Sequence, residues 1–162
     1  MSTRPSPGQQ VLKLWRQCSG LPFGRELFML AFGSMVPYSG ALGARVESLE
    51  PGHVIVRLRD RRGVRNHLDS IHALALGNLG ELASGLAMTT ALPGGIRSIV
   101  TGLHIEFRKK ARGLLTAESR VTVPAVTGED VEHDVIAEIR DEANEIVAVI
   151  TVRWRLGLVP AS

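Results

Sequence analysis

From Ser70 to Ile96 the sequence reads SIHALALGNLGELASGLAMTTALPGGI, and only His72 and Glu81 in it can ionise. A carboxylate in so apolar a segment resists ionisation unless it is hydrogen-bonded or faces a solvated cleft. In a cleft it can act as a general base or a nucleophile. The structural alternative is a carboxylate that closes a buried network or bridges subunits. Asn78, Glu81, Ser84 and Gly85 are spaced to share one helix face. His72 is nine residues before Glu81, two and a half turns away, so the two project to opposite sides and form no dyad.

His72 falls instead at the helix start. There, free backbone amides and the positive end of the dipole can hold a developing oxyanion. Asp69 or Ser70 is the expected cap. Asn66, in RNHLDSIH, either makes a turn or positions a water or a substrate carbonyl. The segment contains no Ser–His pair for serine-hydrolase chemistry. Two basic runs complete the inventory: RKKAR, with Arg108, Lys109, Lys110 and Arg112, and RDRRGVR from Arg59 to Arg65. Each is either a solvated turn or a clamp for phosphates.

The elements that must position these residues follow from periodicity. Gln9–Gln17 is a short helix candidate. Phe23–Met35 is a second, stopped before Pro37, and its apolar residues nearly encircle it. Ala41–Leu49 reads as a strand, followed by the Glu50–Pro51–Gly52 turn. In HVIVRLRD the period is two, which predicts another strand. Ser70–Ala91 is a long helix ended by Pro93–Gly94–Gly95. Four alternating strands follow, centred on Leu103–Phe107, Leu115–Val123, Val135–Ile139 and Ile146–Trp154. Consecutive strands with short turns predict one antiparallel sheet. A helix apolar on most sides must be wrapped by that sheet and by a second subunit. Its glycines each cost roughly 1 kcal/mol against alanine, a cost that close packing justifies.

Composition limits what partners are expected. The chain has 162 residues, 44% hydrophobic and 22% charged, which suits one globular domain. Net charge is +3 and pI about 9.6, enough to favour an anionic ligand but weak for nucleic acid. Seven aromatic residues, none interleaved with a basic stripe, offer no base-stacking surface. Cys18 is the only cysteine, so no disulfide forms within the chain, and no Cys/His cluster has zinc spacing. A reducing, cytoplasmic setting is expected. No secretory signal is visible in MSTRPSPGQQ, although the first 25 residues carry basic groups and no acid, as transit peptides do. The Ser70–Ile96 stretch is long enough to span a membrane, but Glu81 near the centre argues against it, at roughly 2.5–3.5 kcal/mol.

The order β–β–α–β–β–β–β, a helix wrapped by a sheet, resembles the hotdog fold. The segment Asn66–Ala83 resembles the motif region of small acyl-CoA thioesterases of the phenylacetate-pathway type. Those carry an asparagine, a histidine followed by two glycines opening the helix, and then a catalytic Asp or Glu. Asn66, His72 and Glu81 match these positions in type and spacing, and LHIEFRKKARG resembles the family's next strand. Pro37–Tyr38 and Asn66–His67 are similar, more narrowly, to the hotdog branch labelled domain of unknown function 4442. The resemblance covers roughly residues 37–158. Ala73 and Leu74 stand where the family has glycines, so a carbonyl must approach past a side chain. The family often has a Ser or Thr on the strand after the helix, and Ser98 and Thr101 lie nearby.

The resemblance implies an α+β hotdog domain over residues 9–160, with residues 9–36 as a helical extension and 1–8 as a disordered tail. It implies hydrolysis of an acyl-CoA thioester. The carbonyl would be polarised by the Ala73 amide, attacked by water or by Glu81, and oriented by Asn66 from the same or the opposing subunit. Arg108, Lys109, Lys110 and Arg112 would hold the coenzyme A phosphates. No cofactor or metal is required, coenzyme A being part of the substrate, and the assembly would be a homodimer or homotetramer. The rivals are an acyl-CoA-binding hotdog protein without turnover and a hotdog hydratase or dehydratase using His67 or His72.

Overall fold

The computed structural model describes residues 6–160. The chain opens with α1 (Pro7–Ser19), α2 (Gly24–Met35) and α3 (Pro37–Ala41), then β1 (Arg45–Glu50) and β2 (His53–Arg59). After them come the long α4 (Ala73–Ala91), β3 (Ile96–Phe107), β4 (Leu114–Arg120), β5 (Val131–Arg140) and β6 (Ile146–Leu158). The helix α1 starts earlier than the apolar periodicity predicts. Ser6 and Gln9 form a reciprocal capping box and Pro7 takes the first helical position. Ser6–Gly8 of the expected tail therefore belongs to the helix, and residues 1–5 lie outside the described residues. The sequence reading also missed α3, because Pro37 ends α2 and at once starts the next helix at its first turn.

One six-stranded antiparallel sheet, in the order β1-β2-β4-β5-β6-β3, curves around α4. Its inner face is Val54, Val56, Leu58, Leu115, Ala117, Val135, Ile139, Ile150 and Val152, all buried against Leu79, Ala83 and Met88 of α4. The contact is close. A Cβ on Gly80 would come within 2.5 Å of Ile150 Cβ, and one on Gly77 within 2.8 Å of Ile105 Cδ1. These two glycines therefore stand where strands press on the helix backbone.

The N-terminal helices close the side of α4 that the sheet leaves open. Trp15 of α1 meets Phe28 of α2 edge-on at 5.1 Å, and Phe28 stacks on Phe32 at 5.9 Å. α1 crosses α4 so tightly that a Cβ on Gly8 would collide with the Thr89 carbonyl oxygen. α2 also shields the β1 edge through Arg25–Glu47 (2.9 Å) and Arg45–Glu26 (2.8 Å). Among the described residues the other edge, β3, has no such cover. Leu103 and Phe107 are about half exposed there, at 48% and 53%. Among the described residues no helix is long and apolar enough to cross a membrane.

Candidate functional site

The loop before α4 is built around one side chain. Asn66 Oδ1 accepts from the Leu68 amide (2.9 Å), the Ser70 amide (3.3 Å) and the Ser70 hydroxyl (3.2 Å). Three donors on one oxygen fix the amide's orientation and leave Nδ2 with no partner among the described residues. Backbone bonds close the loop on itself, from Asn66 N–H to the Ser70 carbonyl and from His72 N–H to the Val64 carbonyl, both 2.8 Å. Ile71 N–H donates to the Ala111 carbonyl at 2.8 Å, and Arg112 Nε donates to the Asp69 carbonyl at 3.0 Å. The turn after β3 thus clamps the loop from outside. Arg112 is part of this clamp.

His72, not Asp69 or Ser70, caps α4. Its Nδ1 accepts from the Leu74 amide at 3.0 Å, so the ring proton is on Nε2. The helix consequently begins at Ala73, three residues later than predicted. With the Leu74 amide taken and Ala75 and Leu76 both donating to the His72 carbonyl, the exposed Ala73 is left as a first-turn residue whose amide has no partner among the described residues. Asn66, Ala73 and Leu76 line one cleft of about 300 Å³ with Phe107, Arg108, Lys109 and Lys110. The expected anion clamp and oxyanion donor therefore share a cleft. Within it, Arg108 pairs with Glu106 at 2.5 Å, and Lys109 pairs with Asp141 at 2.7 Å and also with Glu145. Lys110 has no ion-pair partner among the described residues. In the other basic run, Arg61 donates to the Leu42 carbonyl (2.8 Å) and Arg65 pairs with Asp60 (2.6 Å), so both hold loops together.

Glu81 is elsewhere. It lies eight residues beyond Ala73, about 12 Å along the helix axis. It lines a second cavity of about 370 Å³, walled by α4, by Val11 and Phe32 of the N-terminal helices, and by Trp154 of β6. Its carboxylate has no hydrogen-bond or ion-pair partner among the described residues, and burial alone holds its pKa above the usual carboxylate range. Gly85, one turn on, keeps space open beside it. A Cβ there would stand 3.8 Å from Glu81 Oε1 and 3.8 Å from Trp154 Cζ2 and Cη2. Ser84 does not share that face as predicted. It is fully buried and its hydroxyl donates to the Glu81 carbonyl at 3.0 Å.

Two buried polar atoms lack partners among the described residues, Asn78 Oδ1 and Trp154 Nε1. The part played by Trp154 was missed in the sequence. Alternation alone places it inward on β6, but nothing local says that it faces Gly85. Ser98 pairs with Leu156 along β3, and Thr101 sits at the bulge between Val100 and Gly102 with its hydroxyl toward the Arg153 carbonyl (3.4 Å). Neither lines the cleft at the helix start nor the cavity beside Glu81. Among the described residues no cluster of His, Cys, Asp and Glu could hold a metal ion.

Several solved structures share this architecture. A Pseudomonas aeruginosa protein of unknown function, named a probable thioesterase, is 26% identical, covering 86% of this chain and 97% of its own, with a TM-score of 0.71. A mutant of the phenylacetic acid degradation protein PaaI from Thermus thermophilus is 21% identical, covering 75% and 99%, with a TM-score of 0.63. A hypothetical thioesterase protein from Streptococcus pneumoniae, solved with coenzyme A, is 18% identical, covering 73% and 88%, with a TM-score of 0.60. Among curated protein sequences, none matches. The family model for the domain of unknown function DUF4442 matches residues 24–156, from the first residue of α2 to near the end of β6, and the chain belongs to that family, an α+β protein of the hotdog, thioesterase-like superfamily.

Proposed function

We propose that the protein hydrolyses an acyl-coenzyme A thioester at a site shared by two copies of the chain. The observation that carries this reading is the desolvated Glu81 carboxylate, unpaired among the described residues, on the same helix whose first amide, at Ala73, has no partner among them either. A carboxylate with a raised pKa is a stronger base near neutral pH, and a free helix-start amide is an oxyanion donor. Separated by about 12 Å, the two groups do not meet on one carbonyl within a chain. Two α4 helices running antiparallel would bring Glu81 of one copy to the Ala73 amide and Asn66 of the other. The half-exposed Leu103 and Phe107 on the uncovered β3 edge, and Leu74 at 68% exposure, are the surfaces such a dimer would bury.

In the reaction, Glu81 takes a proton from water as the water oxygen bonds to the thioester carbon. The oxyanion is held by the Ala73 amide, and Asn66 Nδ2 orients the carbonyl or the water. When the C–S bond breaks, the proton held by Glu81 passes to the departing thiolate. Direct attack by Glu81 followed by hydrolysis of the anhydride is the same geometry with a covalent step. The RKKAR turn lies in the Ala73 cleft, where Lys110 is free to meet phosphate and Arg108 and Lys109 add charge after exchanging carboxylate partners. Arg112 contributes by holding the loop. The single buried Cys18 fits a reducing, cytoplasmic setting.

The test is thiol release from short, medium, long and aromatic acyl-CoAs by the native protein and by Glu81→Gln. Turnover of one class, lost in a folded Glu81→Gln, is expected. Absence of thiol release across the panel would leave the acyl-CoA-binding reading in its place. An altered acyl chain with the thioester intact would favour a hydratase.

A further inference from the structure

The cavity beside Glu81 is walled in part by a feature outside the family match. The match begins at Gly24, so α1 lies before it, yet Pro7 and Val11 of α1 form part of the cavity wall. The helix is not loosely appended. The Gly8 backbone is locked against Thr89, and Trp15 is keyed into Phe28. Phe32 and Met35 of α2 complete the roof, opposite Leu82, Leu86 and Thr89 of α4. The lining is mainly apolar, and its one ionisable group among the described residues is Glu81.

We infer that this cavity receives the acyl chain of the substrate and that the N-terminal helices set its length limit, selecting medium-length aliphatic acyl groups. The inference rests on the thioesterase reading for what carries the chain, but it concerns a different part of the molecule. A volume of about 370 Å³ holds roughly a dozen groups of the size of water, about 30 Å³ each. That corresponds to chains of about eight to twelve carbons. Gly85 leaves the passage between the carboxylate and the Trp154 indole open, so the reacting end of the chain lies beside Glu81 and its tail lies under α1 and α2.

The experiment measures kcat/KM for butyryl- to palmitoyl-CoA in the native protein, in Thr89→Phe, which fills the cavity, and in Met35→Ala, which opens its half-exposed rim. Melting curves confirm that each is folded. In the native protein each methylene that fits should raise kcat/KM about fourfold, with the rise ending at about twelve carbons. Thr89→Phe should lower the ratio of octanoyl- or decanoyl-CoA to butyryl-CoA kcat/KM at least about tenfold. Met35→Ala should extend the limit toward palmitoyl-CoA. Chain-length profiles of both variants that overlay the native one would overturn the inference, and Met35→Ala decides alone if Thr89→Phe does not fold. If the native protein releases no thiol from any substrate, the thioesterase reading fails separately. Calorimetry with decanoic acid then decides for the cavity: binding that Thr89→Phe abolishes upholds the acyl site, and absence of binding, or equal binding by both proteins, overturns it.

Discussion

The free amide at the start of α4 can be deleted without touching a side chain. Proline is at home in the first helical position, where its missing N–H would have had no helical partner. Ala73 holds that position and its amide is unpartnered among the described residues. The preceding residue, His72, has ψ 142°, inside the extended range that a following proline demands. Ala73→Pro should therefore fold and gain about 0.4–1 kcal/mol from the stiffer unfolded chain, a rise in Tm of about 1–4 °C for a chain of this size. If the amide holds the oxyanion, thiol release should fall about 10²- to 10³-fold. Leu74→Pro is the control. It removes the amide that donates to His72 Nδ1 and should lose about 1 kcal/mol as the cap is broken. Melting curves and thiol release with the best acyl-CoA read both variants. An Ala73→Pro protein that melts no lower than the native one and turns over within a few-fold of it would refute the oxyanion assignment. One that fails to fold would refute the account of the cap.

The glycines of α4 should part company on substitution. Gly85→Ala meets only ordinary contacts at 3.8 Å and should gain about 0.5–1 kcal/mol of stability while slowing thiol release, because its methyl crowds Glu81. Gly80→Ala, pressed 2.5 Å from Ile150, should lose about 1–3 kcal/mol in a denaturant titration. For Glu81 the folded pKa lies above the unfolded one, so the folded state binds more protons between the two values and stability falls as pH rises through that window. Glu81→Gln should thus match the native protein in acid, below the usual carboxylate range, and exceed it progressively above; equal denaturation midpoints at pH 4 and pH 8 would refute the desolvation argument. Asn66→Asp keeps the three-way acceptor and should hold the loop while losing the Nδ2 donor, so kcat should drop with little change in Tm. Asn66→Ala leaves the Leu68 and Ser70 donors unsatisfied and should lose about 1–3 kcal/mol by calorimetry as well.

Much of the architecture was legible because it depends on period. Alternation marked five of the six strands, the Glu50–Pro51–Gly52 turn set off the other, and the long apolar run with a Pro–Gly–Gly stop marked α4 to its last residue. Its first residue was misplaced because a histidine ring took the capping role usually filled by Asp or Ser. β1 begins at Arg45 rather than Ala41 because α3 consumes the residues before it, and a five-residue helix leaves no periodic trace. For the site, spacing along one helix correctly separated His72 from Glu81. It did not reveal that Glu81 faces a chamber roofed by α1 and α2, since that depends on where residues far earlier in the chain pack. The same limit hid the fate of the basic runs. Charge was visible in the sequence, but only folded geometry shows that Arg112, Arg61 and Arg65 are spent on loops.

The place of β6 between β5 and β3 bears on how the chain comes together during synthesis. β3 leaves the ribosome directly after α4, yet among the described residues its only neighbour in the sheet is β6, which is made after β4 and β5. Until β6 arrives, β3 has no ladder to join. The face of α4 that carries Gly77 and Gly80 then stays uncovered, and Gly80 waits for Ile150. Such non-local closure makes folding slow and late rather than stepwise, and it leaves a long apolar helix open to aggregation in the meantime. Loss of the thirteen residues of β6 would cost the sheet two strands rather than one.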